Sequence, residues 1–228
     1  MKKKSTKKST KEIPVKKKFH KHKMYKAKEE WTVSRAQIEI DEGINLLNRV
    51  DSPLIGFVGS SRTPPDEKMY KNAKKLAYGL GMRGYAIIAG NGKGIMEAAN
   101  SGAIEAKTIS ISLKADLLKN REPQLKTKTL KFHYFFSQRF IMLAKTKALV
   151  FYPGGLGTLN ELLEDAMLMQ NQIISKIPLI CVGKEYWKGL FDWMKKEPVK
   201  RRYVENIDFE PIKMFDKIKD VVNFIEGL

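Results

Sequence analysis

The sequence predicts an α/β fold: a Rossmann-like parallel sheet with helices on both faces, behind a disordered N-terminal tail. Three observations predict it. Five short apolar runs, 54–58, 85–89, 108–113, 148–152 and 178–182, show no polar–apolar alternation. Strands that read apolar throughout are covered on both faces, as in parallel sheets. Helix-patterned segments separate the runs, which is the order of a doubly wound sheet. Glycine-rich turns follow the first, second and fourth runs, where such sheets bind ligands.

The 228 residues suit one domain, 29–228, behind a tail, 1–28. The formal net charge of +18 is concentrated in that tail, which holds thirteen lysines and one acid, Glu12. So polar a segment cannot offset its own ordering entropy. Its charge suits weak contact with nucleic acid or an anionic surface; a solvated tail without a dedicated partner is the alternative. The single cysteine, Cys181, excludes an internal disulfide. No apolar run approaches the roughly 20 residues of a membrane span, and no signal-peptide core follows the basic start. A cytoplasmic protein without a membrane span is expected.

The leading helix, 31–50, is expected on the outside of the domain or against a partner subunit. Pro53 fixes the start of the first strand, which ends in Gly59-Ser60-Ser61-Arg62. A helix from about Asp66 to Gly81 leads to the second strand. The turn Gly90-Asn91-Gly92-Lys93-Gly94 then opens a helix reaching about Ala106. Strand, glycine turn and helix is the context of a phosphate-binding loop. The spacing matches neither the dinucleotide G-x-G-x-x-G nor an NTPase loop. Lys93 either helps hold a phosphate or is a solvated turn lysine. Glu97 either faces a ligand or complements the helix dipole.

Residues 114–130 are polar and read as a flexible lid. A strongly apolar helix, 132–147, carries Gln138 and Arg139. The fourth strand breaks at Pro153-Gly154-Gly155, and a helix follows from about Gly157 to Gln172. Leu159, Leu162, Leu163, Ala166 and Met167 are spaced as one buried face. Free N–H groups and the positive dipole end at this helix start suit an anion, and Thr158 adds a hydroxyl. Glu161 lies one turn further in. The same pair, Thr158 and Glu161, also fits a capping box, in which the two side chains only satisfy helix-end donors. Later helices are expected at 186–194 and 212–225. The three histidines, His20, His22 and His133, form no ligand cluster, so no metal site is expected.

Three motifs, at 59–65, 90–100 and 153–161, resemble in order those of the LOG ("Lonely Guy") family, nucleotide hydrolases often labelled lysine decarboxylases. The third reads P-G-G-x-G-T-x-x-E. The leading helix and the run Phe132 to Phe136 resemble the family's larger bacterial branch. The resemblance covers about residues 54–193 and implies a Rossmann-like fold and a homodimer or larger assembly. It implies cleavage of the N-glycosidic bond of nucleoside 5′-monophosphates, such as AMP or cytokinin riboside monophosphates, to free base and ribose 5-phosphate, without a cofactor. Carried over, Glu161 is the catalytic carboxylate. Ser60, Gly90, Gly92, Gly94, Met96, Glu97, Gln138, Gly154, Gly155, Gly157 and Thr158 line the substrate site. The family's Arg-Lys pair falls on Gln138 and Arg139, so Arg139 is the candidate catalytic cation. Its glycine loop, commonly G-G-G-P-G, here contains Asn91 and Lys93. A nucleotide or molybdenum-cofactor carrier on the same fold is the alternative.

Overall fold

The computed structural model describes residues 29–115, 125 and 127–228. The lysine-rich segment 1–28 and residues 116–124 and 126, most of the stretch read as a lid, lie outside the described residues. The chain runs α1 (Glu29–Leu47), β1 (Leu54–Val58), α2 (Lys68–Gly81), β2 (Ala86–Gly90), α3 (Ile95–Glu105), β3 (Ser110–Ala115) and β4 (Lys128–Phe132). It continues through α4 (Phe135–Ala144), β5 (Thr146–Phe151), α5 (Leu156–Gln170), β6 (Leu179–Val182), α6 (Lys184–Met194), β7 (Ile212–Phe215) and α7 (Ile218–Glu226).

The seven strands form one parallel sheet in the order β4-β3-β2-β1-β5-β6-β7. Alternate strand residues feed two cores. Ile55, Phe57, Ile87, Val150 and Ile180 pack under α2, α3 and α7. Leu54, Ile88, Leu149 and Cys181 pack under α1, α4, α5 and α6. Burial on both faces is why these strands carry no period-two pattern. The chain reverses its direction of travel across the sheet between β1 and β5. The carboxyl ends of those two strands therefore frame the crevice where open α/β sheets bind ligands.

Two strands depart from the sequence expectation. β4 occupies the end of the expected lid and pairs Leu130 with Leu113. β7 occupies the start of what reads as one long C-terminal helix. Both are edge strands with one neighbour and carry lysines, so neither resembles the buried runs. The helix expected at 132–147 is shorter, because Thr146 and Lys147 already belong to β5.

α1 does more than cover the outside, for it carries Glu39, only 4% exposed. The Glu39 carboxylate accepts the backbone N–H of His133 at 2.6 Å and the Ser137 hydroxyl at 2.6 Å. It thereby caps the start of α4 and fixes that helix's orientation. The face of α5 is also rotated from its expected position. Thr158, Leu162, Asp165 and Met169 are its buried residues, while Leu163 and Met167 are exposed. With Phe136 and Phe140 of α4, also exposed, they leave apolar surface in water. No described helix is long and apolar enough to cross a membrane.

Candidate functional site

Three loops at the carboxyl ends of β1, β2 and β5 are held together through one residue, Ser60. Its N–H donates to the Pro153 carbonyl at 3.1 Å, and its own carbonyl accepts the Ile95 N–H at 3.0 Å. The Ser60 hydroxyl accepts the Arg62 N–H at 3.0 Å and shapes the turn. Behind the second loop, buried Asn100 donates to the Ser112 hydroxyl and accepts from the Ser110 hydroxyl, both at 3.0 Å. This polar network anchors α3 to β3.

The loops wall a cavity of about 780 Å³, within the range of small-ligand sites. Ser60, Gly90, Gly92, Met96, Gln138, Arg139, Gly155, Gly157, Thr158 and Glu161 all line it. Arg62, Asn91, Lys114, Phe135 and Leu156 line it too. None of these five has a role in the sequence expectation, although Arg62, Asn91 and Leu156 stand inside the quoted motifs. A cation or amide within a glycine turn was the available signal.

Four residues singled out from sequence, Lys93, Gly94, Glu97 and Gly154, do not line the cavity. Gly94 is buried at the start of α3 with φ 69°, and an added Cβ would lie 2.3 Å from the Ser60 carbonyl oxygen. Its part is to let two loops touch. Gly154 leaves room for the Thr158 side chain, whose Oγ1 lies 2.1 Å from where a Cβ would stand. Its carbonyl accepts the Tyr186 hydroxyl. Glu97 faces α2, where its charge pushes the Tyr70 phenol upward after burial does. Lys93 is exposed in its turn.

The capping-box alternative does not hold. Gly155 is the N-cap of α5, Thr158 is the third helical residue, and no side chain caps the helix. Gly155 and Gly157 are exposed, with open space where a Cβ would stand. The first turn of α5 therefore presents bare backbone to the cavity. Glu161 follows on the same helix, half-buried, with no hydrogen bond from a described residue. Burial pushes its carboxyl up to about 7, Arg139 opposes the rise, and Glu164 adds to it. An acid poised near neutrality can give or take a proton.

Successive residues on a helix point about 100° apart, yet Gln138 and Arg139 of α4 both border the cavity. The Gln138 amide donates to the Leu113 carbonyl at 2.7 Å. Arg139 pairs with Glu164 at 2.5 Å. Asp165 is 4% exposed, and among the described residues its Oδ2 has no hydrogen-bond partner. Burial first, then Glu161 and Glu164, push its carboxyl up to about 8, against Arg139. The sequence pattern gave no reason to single out this acid.

A pH effect follows. Unfolded, Asp165 releases its proton near pH 4. Folded, it keeps that proton to about 8. Between those values the native state binds more protons, so its stability falls as pH rises, then levels off. Asp165→Asn is expected to stabilise the protein at pH 8.5 by on the order of a few kcal/mol relative to its effect at pH 4. Urea unfolding at both values measures this. An equal effect at both pH values would exclude it.

The profile of the family described as "Possible lysine decarboxylase" matches residues 96–225, more than half of the chain. This chain belongs to that family. No curated protein matches it. Among solved structures, the family member shares its fold with the molybdenum cofactor binding protein of Rippkaea orientalis. That match has 20% identity and a TM-score of 0.57, covering 77% of this chain and 96% of the other. The molybdenum cofactor carrier protein of Chlamydomonas reinhardtii is similar at 16% identity and a TM-score of 0.57, covering 77% and 97%. DNA processing protein A of Streptococcus pneumoniae matches at 14% identity and a TM-score of 0.53, covering 78% and 63%.

Proposed function

We propose that this family member is a phosphoribohydrolase of nucleoside 5′-monophosphates, releasing free base and ribose 5-phosphate. One observation supports this above the others. A half-buried carboxyl poised near neutrality, Glu161, borders the same cavity as the bare backbone of the first α5 turn. The 5′-phosphate binds that helix start and the Gly90–Gly92 turn, with Arg62 available as a counter-charge. Leaving of the base develops positive charge on the ribose, in an oxocarbenium-like transition state. Glu161 stabilises that charge and takes the proton of the attacking water. Remote phosphate binding holds the sugar in place over the acid. Arg139, tied to Glu164, tunes the acid rather than contacting the phosphate. The step consumes one water and needs no redox partner, and cytoplasmic nucleotide pools supply the substrate.

Incubation with AMP, GMP and CMP, followed by chromatography for free base, tests this. Gln138→Arg restores the family's cation at the cavity wall and is expected to raise turnover about tenfold, within the range of a single added charge contact. Unchanged turnover would show that the reaction does not need a cation at this position of the wall. Absence of base release from all three nucleotides would overturn the hydrolase reading. The second reading is a carrier of a phosphate-bearing cofactor, favoured by Gln138 at the arginine position and by the ion pairing of Arg139. Among the similar structures, one is named a molybdenum cofactor binding protein and another a molybdenum cofactor carrier protein. We also propose a homo-oligomer that covers Phe136, Phe140, Leu163 and Met167; sedimentation as a monomer would remove it.

A further inference from the structure

A second surface stands apart from the cavity. Residues 193–203 contain Lys195, Lys196, Lys200, Arg201 and Arg202 against one acid, Glu197. All five cations are exposed. Arg201 pairs with Glu197 at 3.0 Å. Among the described residues the other four have no carboxylate partner. Trp193 is 57% exposed and Tyr203 75% exposed, so two aromatic rings flank the cations in water.

This segment is a folded turn rather than a fraying end. α6 passes directly into a π-helical turn, Lys195–Val199, that contains Pro198. The Arg201 N–H donates to the Glu197 carbonyl at 3.1 Å, Arg202 to Val199 at 2.9 Å and Tyr203 to Pro198 at 2.9 Å. Arg202 takes a left-handed conformation, φ 61°. Non-glycine residues pay for that conformation, and both it and π-turns concentrate at functional positions. Trp187 and Phe191, buried on the other face of α6, hold the platform to the core. The backbone that carries the cations and rings is thus folded before any partner arrives.

We propose that this turn docks single-stranded nucleic acid, with Trp193 and Tyr203 stacking on bases and Lys195, Lys196, Lys200 and Arg202 meeting phosphates. Every base has a face to stack, and lysine and arginine neutralise the backbone, so the surface tolerates many sequences. An anionic membrane fits less well. Apart from the two rings, the apolar residues of the turn, Met194 and Val199, are partly buried, so little aliphatic surface is left to insert among acyl chains. α6 starts at the carboxyl end of β6 and runs back along the sheet. The turn therefore lies toward the amino ends of the strands, away from the cavity at their carboxyl ends.

Fluorescence anisotropy of the full chain with a labelled oligouridylate of about twenty nucleotides, across a salt series, tests the proposal. Lys195→Gln, Lys196→Gln and Lys200→Gln together are expected to reduce the slope of log affinity against log salt by about two. Trp193→Ala with Tyr203→Ala is expected to weaken binding about thirtyfold or more with the slope unchanged. Its affinity for duplex RNA is expected to stay constant. Trp193→Phe with Tyr203→Phe retains stacking and controls for folding. The lysines of residues 1–28 contribute equally to all variants. Unchanged oligouridylate affinity and slope in both variants would overturn the proposal. So would a loss confined to phosphatidylserine vesicles.

Discussion

Glu161→Gln is expected to lower base release from AMP by about 10²–10⁴-fold, the range for a positioned proton-transferring group. Nucleotide affinity, read by calorimetry, is expected to change less than about threefold, since the phosphate meets backbone and not this side chain. Glutamine keeps the size of the side chain but cannot accept the water's proton or carry charge beneath the ribose. In the proposed reaction Glu161 acts deprotonated, and burial pushes its carboxyl up to about 7. The wild-type kcat/KM is therefore expected to rise as pH passes 7, and the glutamine variant to lose that limb. Hydrolysis by Glu161→Gln at the wild-type rate would remove this acid from the chemistry.

Gly94→Ala carries the largest expected structural effect. At φ 69° a side chain is strained, and its Cβ would stand 2.3 Å from the Ser60 carbonyl oxygen and 2.9 Å from the Ser61 carbonyl carbon. Those are backbone atoms and cannot swing aside. The Ile95–Ser60 hydrogen bond joining the loops after β1 and β2 must break or stretch. A loss of about 2–4 kcal/mol is expected by urea unfolding. Base release is expected to fall about 10²-fold, because loops displaced by an ångström misplace the sugar. A variant with wild-type stability and turnover would show that the loops are not joined through Gly94.

The central strands were legible because burial on both faces leaves an unbroken apolar run, as in Leu54–Val58 and Ala148–Tyr152. β4 and β7 were not, because an edge strand half in water carries Lys128, Lys131 and Lys213 like any loop. In α5, apolar spacing pointed to Leu163 and Met167, which are exposed, while Asp165 is buried. Helical periodicity ranks faces by hydrophobicity, and here the inward face also bears acids, so tertiary packing overrode the pattern. Glycine motifs marked the loops, but spacing alone could not separate glycines open to the cavity, such as Gly155, from Gly94, which serves loop contact. That distinction depends on what stands across the chain.

The strand order also shapes how the molecule is made. β1 pairs with β2 about thirty residues later in the chain, but its other neighbour, β5, follows about ninety residues later. During synthesis, β1 leaves the ribosome with one flank of its backbone unpaired until β5 emerges. Pro153, which accepts the Ser60 N–H, comes later still. The early half of the chain can collapse around α2 and α3, but the crevice does not exist until the later half docks. An open edge beside apolar residues such as Ile55 and Phe57 makes that interval the time of greatest exposure to aggregation.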